Sequence, residues 1–448
     1  RKSMGSRVSK VQIAPRNGST FNAGGNIQIQ LPTLPNSYIN LANSYLKFKV
    51  KCVGGASHLD HTGYSLFSRM TTQSQGAVID DTTGFNVLYS ALLDLGVGSA
   101  TLRDYGAIAL GSDGKPEQSH LGAQLDSTAY RGCALPFFTG LFAMDGKLLP
   151  LDTADGVVFT LYLETALNSL IADAHDTLPT GFVIEDVSLH AYILSLTPES
   201  QSLLDQVVDN AGGYTMMFES VASDSKATGE LTKISTLGFR YSSLSRVLMT
   251  MRASDNEGDG EQLSISNRST AKLSEVGLLI GGEAVPSRPI TCTVASAGFE
   301  DFSEPLSETL LSFGVLGDKY GQLGLNGITQ DRLTNDASTD DAFSTLHNRY
   351  VVENGHLADD KDYADIKLKN FAGMGSFVVA IDTDIVKNVS SNPDAMYSGI
   401  STLGSTVQSR LKFSGASTNA QTIDYFGFYN STQSLAHSKS ITKLTINK

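Results

Sequence analysis

Few side chains in this sequence stand at spacings that could do chemistry. His58, Asp60 and His61 place two imidazoles and a carboxylate at i, i+2 and i+3 in a glycine-rich stretch, a fragment of a metal shell. No further Cys or His lies nearby in sequence to complete it, so a loop is the better reading. Asp255, Glu257, Asp259 and Glu261 surround Gly258 and Gly260 like the start of a calcium loop, yet the position that should hold a bidentate Glu is Ser266. A solvated hairpin tip is expected there. The stretch 334–365 carries Asp336, Asp340, Asp341, Asp359, Asp360, Asp362 and Asp365, too many carboxylates to single out a glycosidase pair, and suits an exposed loop. Cys52, Cys133 and Cys292 are too few and too scattered for a disulfide framework or a zinc site, which favours assembly in a reducing compartment. There is no G-x-S-x-G elbow, Walker loop or H-E-x-x-H, and Gly96-Val97-Gly98 reads as a turn. The expectation is a protein without catalytic, cofactor-binding or metal-ligating residues, and not an enzyme.

Charge is distributed unevenly. The 448-residue chain has a formal net charge of −13, but Arg1 to Leu59 hold eight basic residues and no acid, the first carboxylate being Asp60. The remainder carries 25 basic against 46 acidic residues. An acidic body argues against nucleic-acid binding over most of the surface, whereas Arg1, Lys2, Arg7, Lys10 and Arg16 could neutralise phosphate. A solvated tail is the competing reading. Residues 1–19 are expected to be an extended arm without a core of its own. Arg1 to Thr20 lacks the apolar core of a secretory leader, and apolar runs such as Val157 to Leu163 fall short of the ~20 residues a spanning helix needs. Sequons at Asn17, Asn267, Asn388 and Asn430 are expected to be chance triplets in a Ser- and Asn-rich chain.

The elements that would carry these residues are strands. Ile27, Ile29 and Leu31 alternate with Gln28 and Gln30; Leu46, Phe48, Val50 and Cys52 alternate with Lys47, Lys49 and Lys51. Period two puts one set on a core and the other in water. The same holds for Val157, Phe159, Leu161 and Leu163, for Val187, Leu189, Ala191 and Ile193, and for Val407, Leu411 and Phe413 opposite Gln408, Arg410 and Lys412. Phe48, Val50, Phe159, Leu161, Leu189, Ile193, Leu411 and Phe413 should therefore be buried, with the lysines and Arg410 turned away. Helical spacing is confined to Asn86 to Leu95, Glu199 to Asp209 and, more weakly, Pro305 to Ser312. The stretch from Thr197-Pro198 through that middle helix to Gly212-Gly213 divides the chain, and no residue-level repeat links the halves.

Six segments together resemble the double jelly-roll major capsid proteins of icosahedral DNA viruses, of the polinton-like, adintovirus and virophage type. Residues 18–53, GSTFNAGGNIQIQLPTLPNSYINLANSYLKFKVKCV in part, are similar to that family's opening; 141–164, LFAMDGKLLPLDTADGVVFTLYLE, to an apolar turn leading into a long strand; 186–209, DVSLHAYILSLTPESQSLLDQVVD, to the last strand of the first jelly roll and the linker helix. In the second half, GFRYSSLSRVLMTMR at 238–252, LLIGGEAVPSRPI at 278–290 and SGISTLGSTVQSRLKF at 398–413 follow in the same order. The acidic 317–365 region departs from the resemblance.

The resemblance implies an all-β fold of two eight-stranded antiparallel jelly rolls side by side with short helices in loops: an arm at 1–19, a first roll at 20–210 and a second at 211–448. It also implies a homotrimeric, pseudo-hexameric capsomer in a virion capsid, assembled inside the host cell. The implied partners are neighbouring capsomers, penton and minor capsid proteins, with Arg1, Lys2, Arg7, Lys10 and Arg16 facing the lumen near a genome or an internal membrane. Two other classes fit an all-β composition. One is a secreted or surface β-sandwich that binds carbohydrate or acts as an adhesin, against which the absence of Trp weighs; the other is a glycoside-active β enzyme.

Overall fold

The computed structural model describes residues 5–74, 76–96, 108–111, 121–143, 148–152, 156–172, 178–210, 214–228, 230–260, 263–268, 271, 273–294, 300–301, 303–313, 377–384, 399–414, 421–436 and 443–447. The acidic 334–365 stretch and Asn388 lie outside them, as do Arg1 and Lys2.

Strands of the first half are, in chain order, β1 (Ser6–Ile13), β2 (Thr20–Asn22), β3 (Asn26–Gln30), β4 (Ser37–Val53), β5 (Ser57–Asp60), β6 (Phe67–Ser74), β7 (Ala77–Thr83), β8 (Leu121–Leu125), β9 (Arg131–Pro136), β10 (Leu149–Pro150), β11 (Val158–Leu163), β12 (Leu170–Ala172) and β13 (Gly181–Leu196). The second half has β14 (Tyr214–Thr228), β15 (Thr232–Leu237), β16 (Leu244–Ala253), β17 (Leu273–Ile280), β18 (Glu283–Thr291), β19 (Thr293–Val294), β20 (Glu300–Asp301), β21 (Val379–Asp382), β22 (Val407–Phe413), β23 (Gln421–Ala436) and β24 (Lys443–Asn447).

One connectivity occurs twice. In the first half a sheet β1-β13-β4-β10, with β2 on β13 and β9 on β4, faces a sheet β3-β11-β6-β7. In the second half β14-β23-β16-β21 faces β15-β22-β17-β18. Counting β1 with β2 and β9 with β10 as single broken strands, each half orders its eight principal strands first-eighth-third-sixth and second-seventh-fourth-fifth. That is jelly-roll topology, and all of its described pairings are antiparallel. The fold is all-β, two jelly rolls in one chain.

The expected registers hold. Phe48 and Val50 are fully buried, and Phe159, Leu161, Leu189, Ile193, Leu411 and Phe413 are buried with them. Lys47, Lys49, Arg410 and Lys412 are exposed and Lys51 half-buried. Within the first roll the Phe48 and Phe67 rings, one from each sheet, meet edge to face with their centres 5.8 Å apart. In the second, the Ser409 and Tyr425 hydroxyls join β22 to β23 across the core at 2.8 Å. The expected helices form as Phe85–Gly96, Pro198–Asn210 and Ser303–Ser312.

The free-arm expectation needs correcting over Ser6–Ile13. All eight residues of β1 pair with β13, from Ser6 opposite Leu196 to Ile13 opposite Leu189. Val11 and Ile13 supply the reason, since both pack against the core while Lys10 and Gln12 alternate outward. Of the basic residues assigned to the arm, Lys10 donates to the Tyr45 hydroxyl at 2.9 Å, and Arg16 donates to the Gln28 and Gln30 side chains at 3.0 and 3.2 Å. Arg7 is exposed on the edge strand.

Candidate assembly surfaces

Two surfaces of equivalent strands differ: the outer face of β14-β23-β16-β21, against which the first roll packs, and the outer face of β1-β13-β4-β10, which among the described residues is met at one end by the Pro198–Asn210 helix, where Gln201 bonds the Tyr38 hydroxyl, and presents exposed lysines along β4.

The covered face is polar at its edges and apolar at its centre. Thr82 of β7 donates to the Val221 carbonyl at 2.9 Å, and the Thr83 amide donates to the Ser223 hydroxyl at 2.9 Å. Gly84, at φ +61°, turns the chain into the Phe85–Gly96 helix and sits in van der Waals contact with Phe426. Residues Ile423 to Ser431 are buried without interruption, as a strand covered on both faces must be. Its charges are paired internally. Arg252, 9% exposed, meets Asp424 at 2.6 Å and donates to the Ser264 carbonyl at 2.6 Å.

Asp60 is the deepest tie between the rolls. The residue is fully buried, and its carboxylate accepts from the Ile265 amide at 2.7 Å, the Ser266 amide at 3.1 Å and the Ser266 hydroxyl. Burial pushes this carboxyl above its ordinary value of 3.8, against the hydrogen bonds from Ser266 and Ile265, which pull it down. Its oxygens are therefore committed to the second roll, while His58 sets Nδ1 3.2 Å from the Gly122 carbonyl; the triplet is a structural joint. Arg268, also fully buried, donates to Ser90 of the Phe85–Gly96 helix at 2.8 Å.

The acidic 255–261 segment was expected to be a solvated tip, and that expectation is corrected for its described part. Asp255 and Glu257 are exposed, but the Gly258 amide donates to Asn168 at 2.7 Å and the Gly260 carbonyl accepts from Ala172 at 2.9 Å. Gly260 stands at φ +73° with Leu167 packed where a Cβ would be, so the tip docks on the first roll because two glycines let the backbone lie flat there. A cleft of about 360 Å³ beside this seam is lined by Arg69, Glu164, Arg252 and Glu257. Arg69 is engaged by Asp81 at 2.6 Å and Arg252 by Asp424, and Glu164 accepts from Asn86 at 3.1 Å and Asn168 at 3.2 Å. The groups satisfy one another, as they would in a joint.

The open face is basic and aromatic. Lys47, Lys49 and Lys51 stand at alternate positions of β4, flanked by Tyr45, Lys10 and Tyr192. The Lys10 ammonium lies 5.2 Å from the Tyr45 ring centre and 6.0 Å from that of Tyr192, and Tyr45 stacks on His190 at 4.8 Å. Lys49 pairs with Asp186 at 2.6 Å and Lys51 lies 4.7 Å over Tyr130. Lys10 is held above its ordinary value by its hydrogen bond to Tyr45, so its charge is firm at neutral pH. The lysine row was legible in the sequence; Asp60 and Arg268 as joint residues were not, because their partners Ser266 and Ser90 lie 206 and 178 positions away. Among the sequons, Asn430 is buried and donates to Ser243 at 3.0 Å, and Asn17 bonds Asn26 and Gln28.

No protein-family model matches this sequence, and no curated protein matches it. Solved structures match by shape. PBCV-1 VP54, as fitted into a cryo-EM reconstruction of the virophage Sputnik, superposes with a TM-score of 0.60 at 9% identity, over 99% of this chain and 98% of that one. The Faustovirus major capsid protein gives 0.58 at 8% identity over 96% and 91%, and the mavirus major capsid protein 0.52 at 9% over 98% and 89%. At such identities the likeness is one of fold, and it runs through both rolls.

Proposed function

We propose that this protein is a major capsid protein, three copies of which form a pseudo-hexameric capsomer of an icosahedral viral shell. The observation that carries the reading is the superposition of nearly the whole chain, both rolls in one arrangement, on capsid proteins of nearly equal extent. A likeness of one sandwich would fit many binding modules; two rolls locked through Asp60 and Arg268 are a construction unit. The division at 20–210 and 211–448 belongs to the same proposal. So do the partners: further copies, neighbouring capsomers, penton and minor capsid proteins, in a virion capsid built inside the host cell. A lumenal position for Arg7 and the residues before it, near a genome or membrane, completes the reading, with Lys10 and Arg16 serving the sheet instead. The absence of Trp and the self-paired charges of the inter-roll cleft weigh against a carbohydrate-binding adhesin.

Light scattering and negative-stain imaging of the intact protein test this. Three-fold, six-lobed particles are expected, with more than ~2,000 Å² buried per interface as obligate oligomers show. A monomer at every concentration would overturn the reading.

A further inference from the structure

On the outer face of β1-β13-β4-β10 one titratable side chain among the described residues is buried, His190 of β13. Its neighbours Leu189 and Ala191 point into the core, so the imidazole points outward, and it is hidden because its ring lies against Tyr45 of β4, stacked at 4.8 Å between centres. A chain of hydrogen bonds passes through it in one direction. The Lys10 ammonium of β1 donates to the Tyr45 hydroxyl at 2.9 Å, that hydroxyl donates to His190 Nδ1 at 3.4 Å, and Nε2–H donates to the Ser188 hydroxyl at 3.1 Å. An ammonium can only donate, so Lys10 sets the direction. The imidazole completes such a chain only when neutral, with its one proton on Nε2.

A second proton changes the sign of the contact. Nδ1 would become a donor, and two cations would converge on one phenol oxygen. The charges that act on the ring are Lys10 from β1 and Lys47 from β4, with Tyr45 and Tyr192 the neighbouring phenols. Burial first, and then these two lysines, hold the imidazole below its ordinary 6.5. Strand β1 is the edge of this sheet and pairs with β13 alone, so the Lys10 side chain ties it across β13 to β4. From this geometry we propose that His190 is an acid-sensitive latch on β1: protonation breaks the Lys10–Tyr45–His190 chain and lets the edge strand, with Arg7 and the residues before it, come away from the sheet. The latch works within a free chain, whatever that chain assembles into. Departure of β1 carries Lys10 away and opens the ring to water, so the hold on β1 is complete above pH 6.5 and is lost as pH falls below it toward the lowered value.

Hydrogen exchange of the intact protein at pH 7 and pH 5 tests it, each amide being read against the same amide in His190→Gln so that the intrinsic pH dependence of exchange cancels. Glutamine can accept from Tyr45 and donate to Ser188 but cannot titrate. Relative to that variant, protection of Ser6 to Ile13 should fall about 5-fold at pH 5, short of the ~30-fold that full recovery of 6.5 would give, because Lys47 stays beside the ring. The amides of β16, in the second roll, should show no such fall. Lys10→Met alters an exposed side chain and carries the test if the glutamine variant fails to fold: imidazole NMR should find the His190 titration moved up toward 6.5, and the pH effect on β1 should shrink below about 2-fold. Equal pH dependence of β1 in wild type and His190→Gln, an equal fall in β16, or a His190 titration unmoved by Lys10→Met overturns the proposal. So does association, followed by sedimentation, that changes with pH only in the wild type while β1 stays protected, since the proton would then act on a contact between copies.

Discussion

Strands β4 and β16 hold the third place in the same sheet of the same topology, yet their sequences differ in kind. β4 alternates, Leu46-Lys47-Phe48-Lys49-Val50-Lys51-Cys52, and its lysines lie on an open face. β16 reads Val247-Leu248-Met249-Thr250-Met251, and every one of those residues is buried. Position in a fold does not set the pattern; the number of wet faces does. β23 carries the lesson further, since Phe426 points at the first roll while Tyr425 beside it points into its own core.

The largest effects should come from aromatic residues on opposite sides of this contrast. Phe48→Ala empties the first core and Phe426→Ala empties the seam between rolls; each should cost about 3 to 5 kcal/mol in chemical denaturation. Near-equality would establish that the seam is packed like a core. A cost below about 1 kcal/mol for Phe426→Ala would show a loose seam and break the comparison.

Asp60→Ala comes next, at about 3 kcal/mol, because it leaves the Ile265 amide and both donors of Ser266 buried without an acceptor. The rolls should then unfold in two steps where the wild type unfolds in one. A single transition with an unchanged midpoint would mean that the joint is redundant.

The contrast also explains what the sequence could tell. Strands with one wet face announced themselves, so the register of β3, β4, β13 and β22 and the burial of Phe48, Leu189 and Leu411 were legible. β16 and β23, covered on both sides, have no alternation to read. The three helices were visible from their spacing. The Ser6–Ile13 strand was misjudged because five basic residues outweighed two apolar ones, Val11 and Ile13, which decide the packing. The joint residues were invisible for a different reason. Asp60 looks like a loop ligand until Ser266, 206 positions away, is brought to it.

A smaller, pH-dependent effect separates joint from face. Asp60 has a folded-state value raised by burial, so the folded state binds its proton more tightly than the unfolded chain does. Stability from this group therefore rises as pH falls from the raised value toward 3.8 and is lost as pH climbs back. Relative to Asp60→Asn, which cannot titrate, the wild type should gain thermal midpoint as pH falls from 7 to 4, with the neighbouring His61 and Arg252 side chains common to both. A midpoint difference that stays constant over that range would remove burial as the cause.

The smallest effect belongs to the open face. Lys49 and Asp186 are 2.6 Å apart, but their side chains are 52% and 67% exposed, so water and salt screen their attraction. The hydrogen bond that Lys49 donates to Asp186 raises its ammonium above its ordinary 10.5, which makes any stabilisation complete at lower pH and lost only as pH rises through that raised value. At pH 7 and 0.15 M salt, Lys49→Met should leave the denaturation midpoint of the unassociated chain where it was, and 1 M salt should not change that result. A shift as large as that of Asp60→Ala would mean that the face is covered within a single chain. A null result on the free chain, paired with weakened association, would place the value of this face in what a second copy brings to it.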